Sequence, residues 1–532
     1  MSVLVLGRAR ARLAEAPTLT ILLASLVAAA MLLAPTYLIV RVAGEGSKAW
    51  DIISASNTTD AVIRTAMLAL AVTGASIAIS VPLAWLTTRT DLPLKQLWTV
   101  LLVLPLVVPS YVGAFILVSA LGPRGTLQDW LSPFGVERLP EVYGFSGAWL
   151  ALTIFSYPYV FLPLRAAFQG LDPALEEAAR GLGKSGIETF RRVILPQLRP
   201  AMMGGGLLIA LYTLSDFGAV SILRFDSLTR IVYLQYTTAF DRSAAAALGL
   251  VLVMMALTLV LIEGVTRGAG RYYSQSQRRQ PATVRLGHWR WPALLLCLLV
   301  VGIGVAMPVS VVTFWLVRGL QAGESIGFVQ EAAFNSAYAS GLAALVAVAA
   351  ALPVVYLAVR HPSPASSLLE KATYAGFALP AITVALALVF FASNYAPTVY
   401  QTLGLLVFAY VVRFLPQAIS ACRSSLVQIN PRTEEAARSL GHGPSRVFLR
   451  ITAPQMLPGL SAGAVMVFLT AMKELPATLL LSPIGFHTLA TEIWASTSEA
   501  FFARAALPAL VLLALSGVPT ALMVLREPAA HD

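Results

Sequence analysis

Glu176-Glu177-Ala178-Ala179-Arg180, followed by Leu182-Gly183, Phe190, Arg192, Pro196-Gln197 and Pro200, forms one polar stretch in an otherwise oily chain. It returns as Glu434-Glu435-Ala436-Ala437-Arg438, with Leu440-Gly441, Phe448, Arg450, Pro454-Gln455 and Pro458. Every pair is 258 positions apart without a gap, and 12 of the 25 positions from 176 to 200 recur in the second copy. Pro158/Pro416, Arg165/Arg423 and Pro173/Pro431 carry the register upstream. An amphipathic helix lying in a membrane interface would explain one such loop. Two, kept at matching positions while the apolar sequence around them diverges, point to equivalent docking elements offered to something soluble.

Of the 532 residues, 58% are hydrophobic and only 12% charged, and the mean hydropathy is +0.77. A soluble protein carries roughly 25% charged residues, so the class is integral membrane. The net charge of +11 is not a nucleic-acid footprint, because the basic residues lie in loops between apolar runs, as topology control and lipid contact require. Cys297 and Cys422 fall in or beside apolar segments and give neither a disulfide framework nor a metal spacing. Arg8, Arg10 and Arg12 precede an apolar run from Thr18 to Val40, too long for a signal peptide and long enough to span a bilayer. It reads as an uncleaved first helix with the N-terminus in the cytoplasm.

With this first run included, there are about twelve apolar runs of spanning length, centred near residues 30, 74, 109, 157, 211, 255, 303, 346, 382, 409, 469 and 515. Pro82, Pro105, Pro109, Pro353 and Pro380 interrupt several, as packed membrane helices tolerate. Alternating sides from a cytoplasmic N-terminus puts most Lys and Arg inside and leaves Arg64, Arg413 and Lys473 within spans. The copies of the polar loop are six spans apart, an even number, so both are cytoplasmic and the halves are parallel repeats. The expected organisation is a first half at 1–266 with its loop at 172–200, a basic cytoplasmic linker at 267–289, and a second half at 290–532 with its loop at 430–458.

Each loop carries the marks of a short helix. Asp172-Pro173 and Asn430-Pro431 supply a capping side chain and a first-turn proline. Glu176-Glu177 and Glu434-Glu435 then favour the helix dipole. Ala178-Ala179 and Ala436-Ala437 leave a smooth face, and Gly183 and Gly441 end the helix. A second short amphipathic stretch reaches Pro196 or Pro454, where the next span begins, giving a helix–turn–helix along the membrane surface. Within the first copy, Ala178 to Ser185 imitates a phosphate-binding loop ending in Gly-Lys-Ser. It lacks the first glycine and the preceding strand, so it is not read as an ATP site.

Both loops resemble the signature loop of permease subunits in binding-protein-dependent ABC importers: Glu-Ala-Ala, three residues, Gly, nine residues, then Ile-x-Leu-Pro. Here Glu177-Ala178-Ala179 leads to Gly183 and Val193-Ile194-Leu195-Pro196. Glu435-Ala436-Ala437 leads to Gly441 and Ile451-Thr452-Ala453-Pro454, and Val193 and Ala453 depart conservatively. The resemblance covers nearly the whole chain, as a fused two-half form. It implies an all-α type I importer permease in the inner membrane, with both termini cytoplasmic and no enzymatic activity of its own. It also implies that Glu176, Glu177, Ala178, Ala179, Gly183 and Pro196, and Glu434, Glu435, Ala436, Ala437, Gly441 and Pro454, form coupling helices. These would dock on two copies of a separate ATPase that holds the ATP and magnesium, while a periplasmic binding protein delivers the cargo. Met472-Lys473-Glu474-Leu475-Pro476 and Leu214-Ser215-Asp216-Phe217-Gly218 look like the ferric-iron branch. Thiamine, polyamine, phosphonate and sulfate remain alternatives.

Asp216 and Glu474 pair at the 258 offset, one acid in each half. Intramembrane acids usually face the bundle interior or a water path, and Fe³⁺ prefers oxygen ligands, so the two are candidates for a transient way-station. The competing reading pairs Glu474 with Lys473 and Asp216 with an arginine or a helix end. Lys473 joins them as a pathway candidate. Arg64 and Arg413 are expected to snorkel from span ends. Tyr157, Tyr159, Tyr233 and Tyr236 fit an aromatic belt better than an oxygen ligand set, and His487 is a lone loop histidine. No bound cofactor and no firm metal site are expected. A gradient-driven secondary transporter is the rival of another class, although it has no need of two identical docking loops. An intramembrane enzyme would need a His-Glu-x-x-His pattern or a nucleophile with its base, and neither is present.

Overall fold

Proline places the sharpest features of this fold. The residues before Pro109 and Pro380 are barred from the helical region, and Val108 and Leu379 are extended, with ψ of 115° and 138°. Each breaks an apolar segment in two. Lys95–Val107 and Ser110–Leu121 meet at 95°, and Pro364–Phe377 and Ala381–Tyr395 at 99°. The computed structural model describes residues 18–122, 125, 127–128, 132–135, 141–266, 283–325 and 327–526. The leading arginines Arg8, Arg10 and Arg12 and linker residues 267–282 lie outside the described residues.

Among the described residues, nine helices are long and apolar enough to cross a membrane: Thr18–Gly44, Ser56–Arg89, Phe145–Gln169, Gly186–Ser215, Arg242–Ile262, Gly287–Gln321, Gly327–Arg360, Leu403–Gln428 and Pro444–Ala471. The two bent pairs and the shorter apolar helix Phe502–Gly517 complete twelve segments. Eleven of the twelve expected centres fall inside one of these helices, and the one near residue 109 falls at the Pro109 break of the first bent pair. There is no strand among the described residues, only an isolated bridge between Thr90 and Val284. The fold is all-α.

The two halves share one plan with a length difference. Ser56–Arg89 and Gly327–Arg360 are both 34 residues long, and both end on arginine. These two helices are 271 positions apart rather than 258, and so are the pairs Pro82/Pro353, Pro93/Pro364 and Pro109/Pro380. From Phe145 and Leu403 onward the offset is 258. The first half is therefore thirteen residues longer between Leu121 and Phe145. At 1.5 Å per residue a 34-residue helix is about 51 Å long, against a hydrocarbon core of about 30 Å. Its terminal arginine can thus reach beyond the apolar zone.

The compact units divide the chain differently from the sequence halves. One unit holds residues up to Ile52, Phe240–Val253 and Gly327–Glu492. Within it, the first helix, Thr18–Gly44, lies against helices of the second half: the Tyr37 hydroxyl donates to the Phe390 carbonyl at 3.3 Å. The other unit holds Ile53–Ala239, Met254–Ile326 and Ile493 onward. There, conversely, helices of the second half lie against the first. A Cβ on Gly304 would stand 2.7 Å from the Pro105 ring, and one on Gly517 would stand 3.4 Å from the Val107 Cγ1. Its apolar core is built on Leu68, Leu83, Tyr157, Phe161, Phe168 and Leu198, joined by Cys297.

Small residues set the helix crossings in each unit. A Cβ on Gly205 would meet the Val160 Cα at 2.8 Å, and one on Gly463 would meet the Ala418 Cα at 3.3 Å. Both glycines and both partners are related by the 258 offset. Small residues let membrane helices approach closely, where packing rather than water exclusion drives association.

Candidate functional site

Each polar loop opens with a nine-residue helix, Pro173–Gly181 or Pro431–Ser439. Asp172 accepts from the Ala174 amide at 2.9 Å, and Asn430 from the Arg432 amide at 3.1 Å. The capping residues read from sequence therefore work as expected. Both helices end in a six-to-one closure, with Gly183 at φ +76° and Gly441 at φ +84°. Lys184 N donates to Ala179 O at 3.1 Å and His442 N to Ala437 O at 3.2 Å. Glycine is favoured at that left-handed position because a Cβ would be strained there.

The helix then has two faces. Glu177, Ala178 and Leu182 are exposed in the first copy, and Glu435, Ala436 and Leu440 in the second. Leu182 is 81% exposed and Leu440 80%, a leucine left in the open at the same register position twice. The inward face carries Ala179 and Ala437, both buried, and the first glutamate of each pair. Glu176 meets Arg89 at 2.5 Å, with side-chain exposures of 17% and 5%. Glu434 meets Arg360 at 2.8 Å, with exposures of 4% and 9%. The two glutamates, alike in sequence, thus separate into an anchored one and a presented one.

The second amphipathic stretch departs from expectation. It is not a separate surface helix ending at Pro196 or Pro454, for Gly186–Ser215 and Pro444–Ala471 run on as single helices. A π-helical turn, Phe190–Ile194 or Phe448–Thr452, stands just before each proline. Proline lacks an amide hydrogen and crowds the carbonyl four residues back, and the wider turn absorbs that mismatch without breaking the helix.

Further along the chain, Asp216 and Glu474 each sit at a break between a long helix and a short one. The Asp216 carboxylate accepts from the amides of Ala219 and Val220 at 3.0 and 3.3 Å, and its carbonyl accepts from the Thr229 hydroxyl at 2.6 Å. Glu474 accepts from the Ala477 amide at 3.3 Å, and its carbonyl accepts from the Thr478 hydroxyl at 2.6 Å. Both acids therefore brace a helix start. Glu474 is also paired with Arg413. Arg413, expected to snorkel, is mostly buried against that carboxylate. Asp216 belongs to one unit and Glu474 to the other, and no group of three or more His, Cys, Asp or Glu among the described residues could hold a metal.

Other sequence expectations change as well. Tyr157 is no interfacial belt residue: it is fully buried, donates to the Leu102 carbonyl at 2.6 Å, and its carbonyl accepts from Ser80 at 3.0 Å. Tyr159 packs on Tyr212, and Tyr233 lies 4.6 Å from the Phe217 ring. Arg64 is half exposed, 4.0 Å from Asp226. His487 lies 3.4 Å from Glu492, and Asn335 donates to its carbonyl at 3.0 Å.

Arg89 and Arg360 escaped the sequence reading. Their shared signal, an arginine four residues before a proline, repeats at 271 positions, outside the 258 register that exposed the loops. The exposed Leu182 and Leu440 stood inside the matched stretch, but solvation cannot be read from identity.

Comparison with known proteins agrees with this geometry. The family model described as "Binding-protein-dependent transport system inner membrane component" matches twice, over residues 76–268 and 343–531. The chain is 34% identical to the "Fe(3+)-transport system permease protein FbpB 2" of Haemophilus influenzae, over 92% of this chain and 94% of that protein. It is 26% identical to the "Ferric transport system permease protein FbpB" of Actinobacillus pleuropneumoniae, over 71% of this chain and 58% of that protein. Similarity to the "Sulfate transport system permease protein CysT" of Escherichia coli is 30% over 34% of this chain and 65% of that protein. With two copies of the domain, all-helical halves and a matching polar loop in each, the chain belongs to the family of inner membrane components of binding-protein-dependent transport systems.

Proposed function

We propose that this chain is the transmembrane permease subunit of an ATP-driven importer of ferric iron, coupled to a separate ATPase through its two polar loops. The observation that carries the reading is the duplicated outward face, Glu177, Ala178 and Leu182 repeated as Glu435, Ala436 and Leu440. An acid, a small residue and an exposed leucine in one arrangement form a patch that one kind of groove recognises twice. Two copies of one ATPase are therefore the natural partners. ATP and magnesium belong to them, and the permease binds no cofactor and performs no chemistry.

The sequence halves 1–266 and 290–532 act as the two permease halves, joined by the basic linker 267–289, with both termini and both loops in the cytoplasm. A periplasmic binding protein presents the cargo from the other side. Lys473, Asp216 and Glu474 are the polar residues assigned to the pathway-forming spans, the two acids chiefly as braces at the breaks. Iron is favoured because the relative matched over 92% of this chain carries Fe(3+) transport in its name, whereas the sulfate relative matches 34%.

The test is uptake of ⁵⁵Fe(III), labelled thiamine and labelled sulfate by cells with and without the gene, under iron limitation. Loss of iron uptake alone supports the assignment. Loss of another solute alone keeps the permease and replaces its cargo.

A further inference from the structure

We propose that Arg89–Glu176 and Arg360–Glu434 are transmission struts. Each ties a docking helix rigidly to the end of a 34-residue spanning helix, so that motion of the ATPase moves that helix instead of flexing the loop. This rests on the coupling reading above and adds residues to it that the loop motif does not contain.

Geometry makes a strut necessary. Each docking helix has only nine residues and hangs between a proline turn at Asp172 or Asn430 and a left-handed glycine at Gly183 or Gly441. A short helix between two turns would pivot when pushed on its outer face. The ion pair stands on the opposite face, one turn before Ala179 or Ala437, whose small side chains let the helix lie close to its support. Taking one partner from a buried ion pair leaves an uncompensated charge, so the joint resists opening.

The two struts are braced differently. Around Glu434, the Thr452 hydroxyl donates at 3.1 Å to the carboxylate oxygen that Arg360 holds. Arg360 also donates to the Ile429 carbonyl at 3.2 Å, and Arg438 donates to the Tyr356 hydroxyl at 3.2 Å. Three segments of one half thus meet at the Glu434 carboxylate, and Arg360 ties in a fourth through the Ile429 carbonyl. In the first half Ile194 stands where Thr452 does, so that bond is missing. Glu176 is shared between Arg89 and Arg180, the latter at 2.8 Å, and Arg89 Nη1 is buried without a hydrogen-bond partner among the described residues. The linker supplies a brace instead. Val284 N donates to the Arg89 carbonyl at 2.8 Å, Asp91 N donates to the Val284 carbonyl at 3.1 Å, and Leu286 N donates to the Asp91 carboxylate at 2.8 Å. The end of the linker is therefore part of the first strut's base.

The experiment uses the full permease with its ATPase and binding protein in proteoliposomes, measuring iron transported per ATP hydrolysed and ATPase retained on purification. Glu176→Gln with Glu434→Gln keeps shape and removes charge. The expected result is a fall of about tenfold in iron per ATP, within the usual range of coupling between sites, with the ATPase still bound. The charge-swapped quadruple variant, Arg89→Glu, Glu176→Arg, Arg360→Glu and Glu434→Arg, should recover most of the ratio. An unchanged ratio in the Gln variant overturns the proposal. So does loss of the bound ATPase in that variant, which would make the pairs mere folding clamps. Glu177→Lys with Glu435→Lys, which leaves the struts intact, separates the two readings: if it retains both ATPase and uptake, the docking assignment fails, whatever the struts do.

Discussion

Arg413 Nη1 lies 3.1 Å from each carboxylate oxygen of Glu474, and both side chains are largely withdrawn from solvent, at 17% and 8% exposure. The intramembrane acid is thus neutralised by a helix neighbour in space, sixty-one positions away in sequence. Glu474→Ala should leave Arg413 buried and alone, costing about 3–5 kcal/mol. Arg413→Met combined with Glu474→Gln removes both charges and should stand much closer to wild type. Thermal unfolding of the detergent-purified protein reads the difference. Equal losses in the two variants would show that the ion pair carries no weight.

Reversing the presented glutamates should separate docking from folding. Glu177→Lys with Glu435→Lys places a cation on each outer face, where the side chains are exposed. Uptake and ATPase co-purification should both disappear, while the amount of protein in the membrane fraction stays at the wild-type level. A membrane fraction depleted of the variant would count against a surface role.

The glycine crossings predict an order. Gly205→Ala puts a methyl 2.8 Å from the Val160 Cα, whereas Gly463→Ala puts one 3.3 Å from the Ala418 Cα. Overpacking a well-packed interior costs about 1–3 kcal/mol. Gly205→Ala should therefore lower the melting temperature more than Gly463→Ala does, and a reversed order would contradict the packing.

The loop turns give a backbone test. Alanine at Gly183 or Gly441 must adopt a left-handed φ, at about 1–2 kcal/mol, whereas asparagine tolerates it better. Gly441→Ala should reduce uptake more than Gly441→Asn, as measured in the same iron-uptake assay. If asparagine is the worse of the two, the turn is not what glycine serves there.

Much of this architecture was legible because the bilayer imposes one-dimensional rules. A run of about twenty apolar residues spans it, so eleven of the twelve expected centres lie inside observed apolar helices, nine of them in helices of spanning length. Caps are equally local, and Asp172, Asn430, Gly183 and Gly441 perform as their residue types foretell. Arg413 and Tyr157 were misread for the opposite reason. Whether a polar group at a given depth faces lipid, water or a partner depends on neighbours that periodicity does not reveal.

The chain by itself determined its membrane class, its duplication, its spans and the two loops that set its family, because composition, spacing and capping are properties of neighbouring residues. Only the tertiary structure decided which glutamate of each pair is presented and which is anchored. It alone assigned the first helix of one half to the unit built from the other, and gave Asp216 and Glu474 their helix starts to brace. Those outcomes depend on which buried charge finds its counter-charge across tens or hundreds of residues. Desolvation enforces that pairing only after the helices have packed.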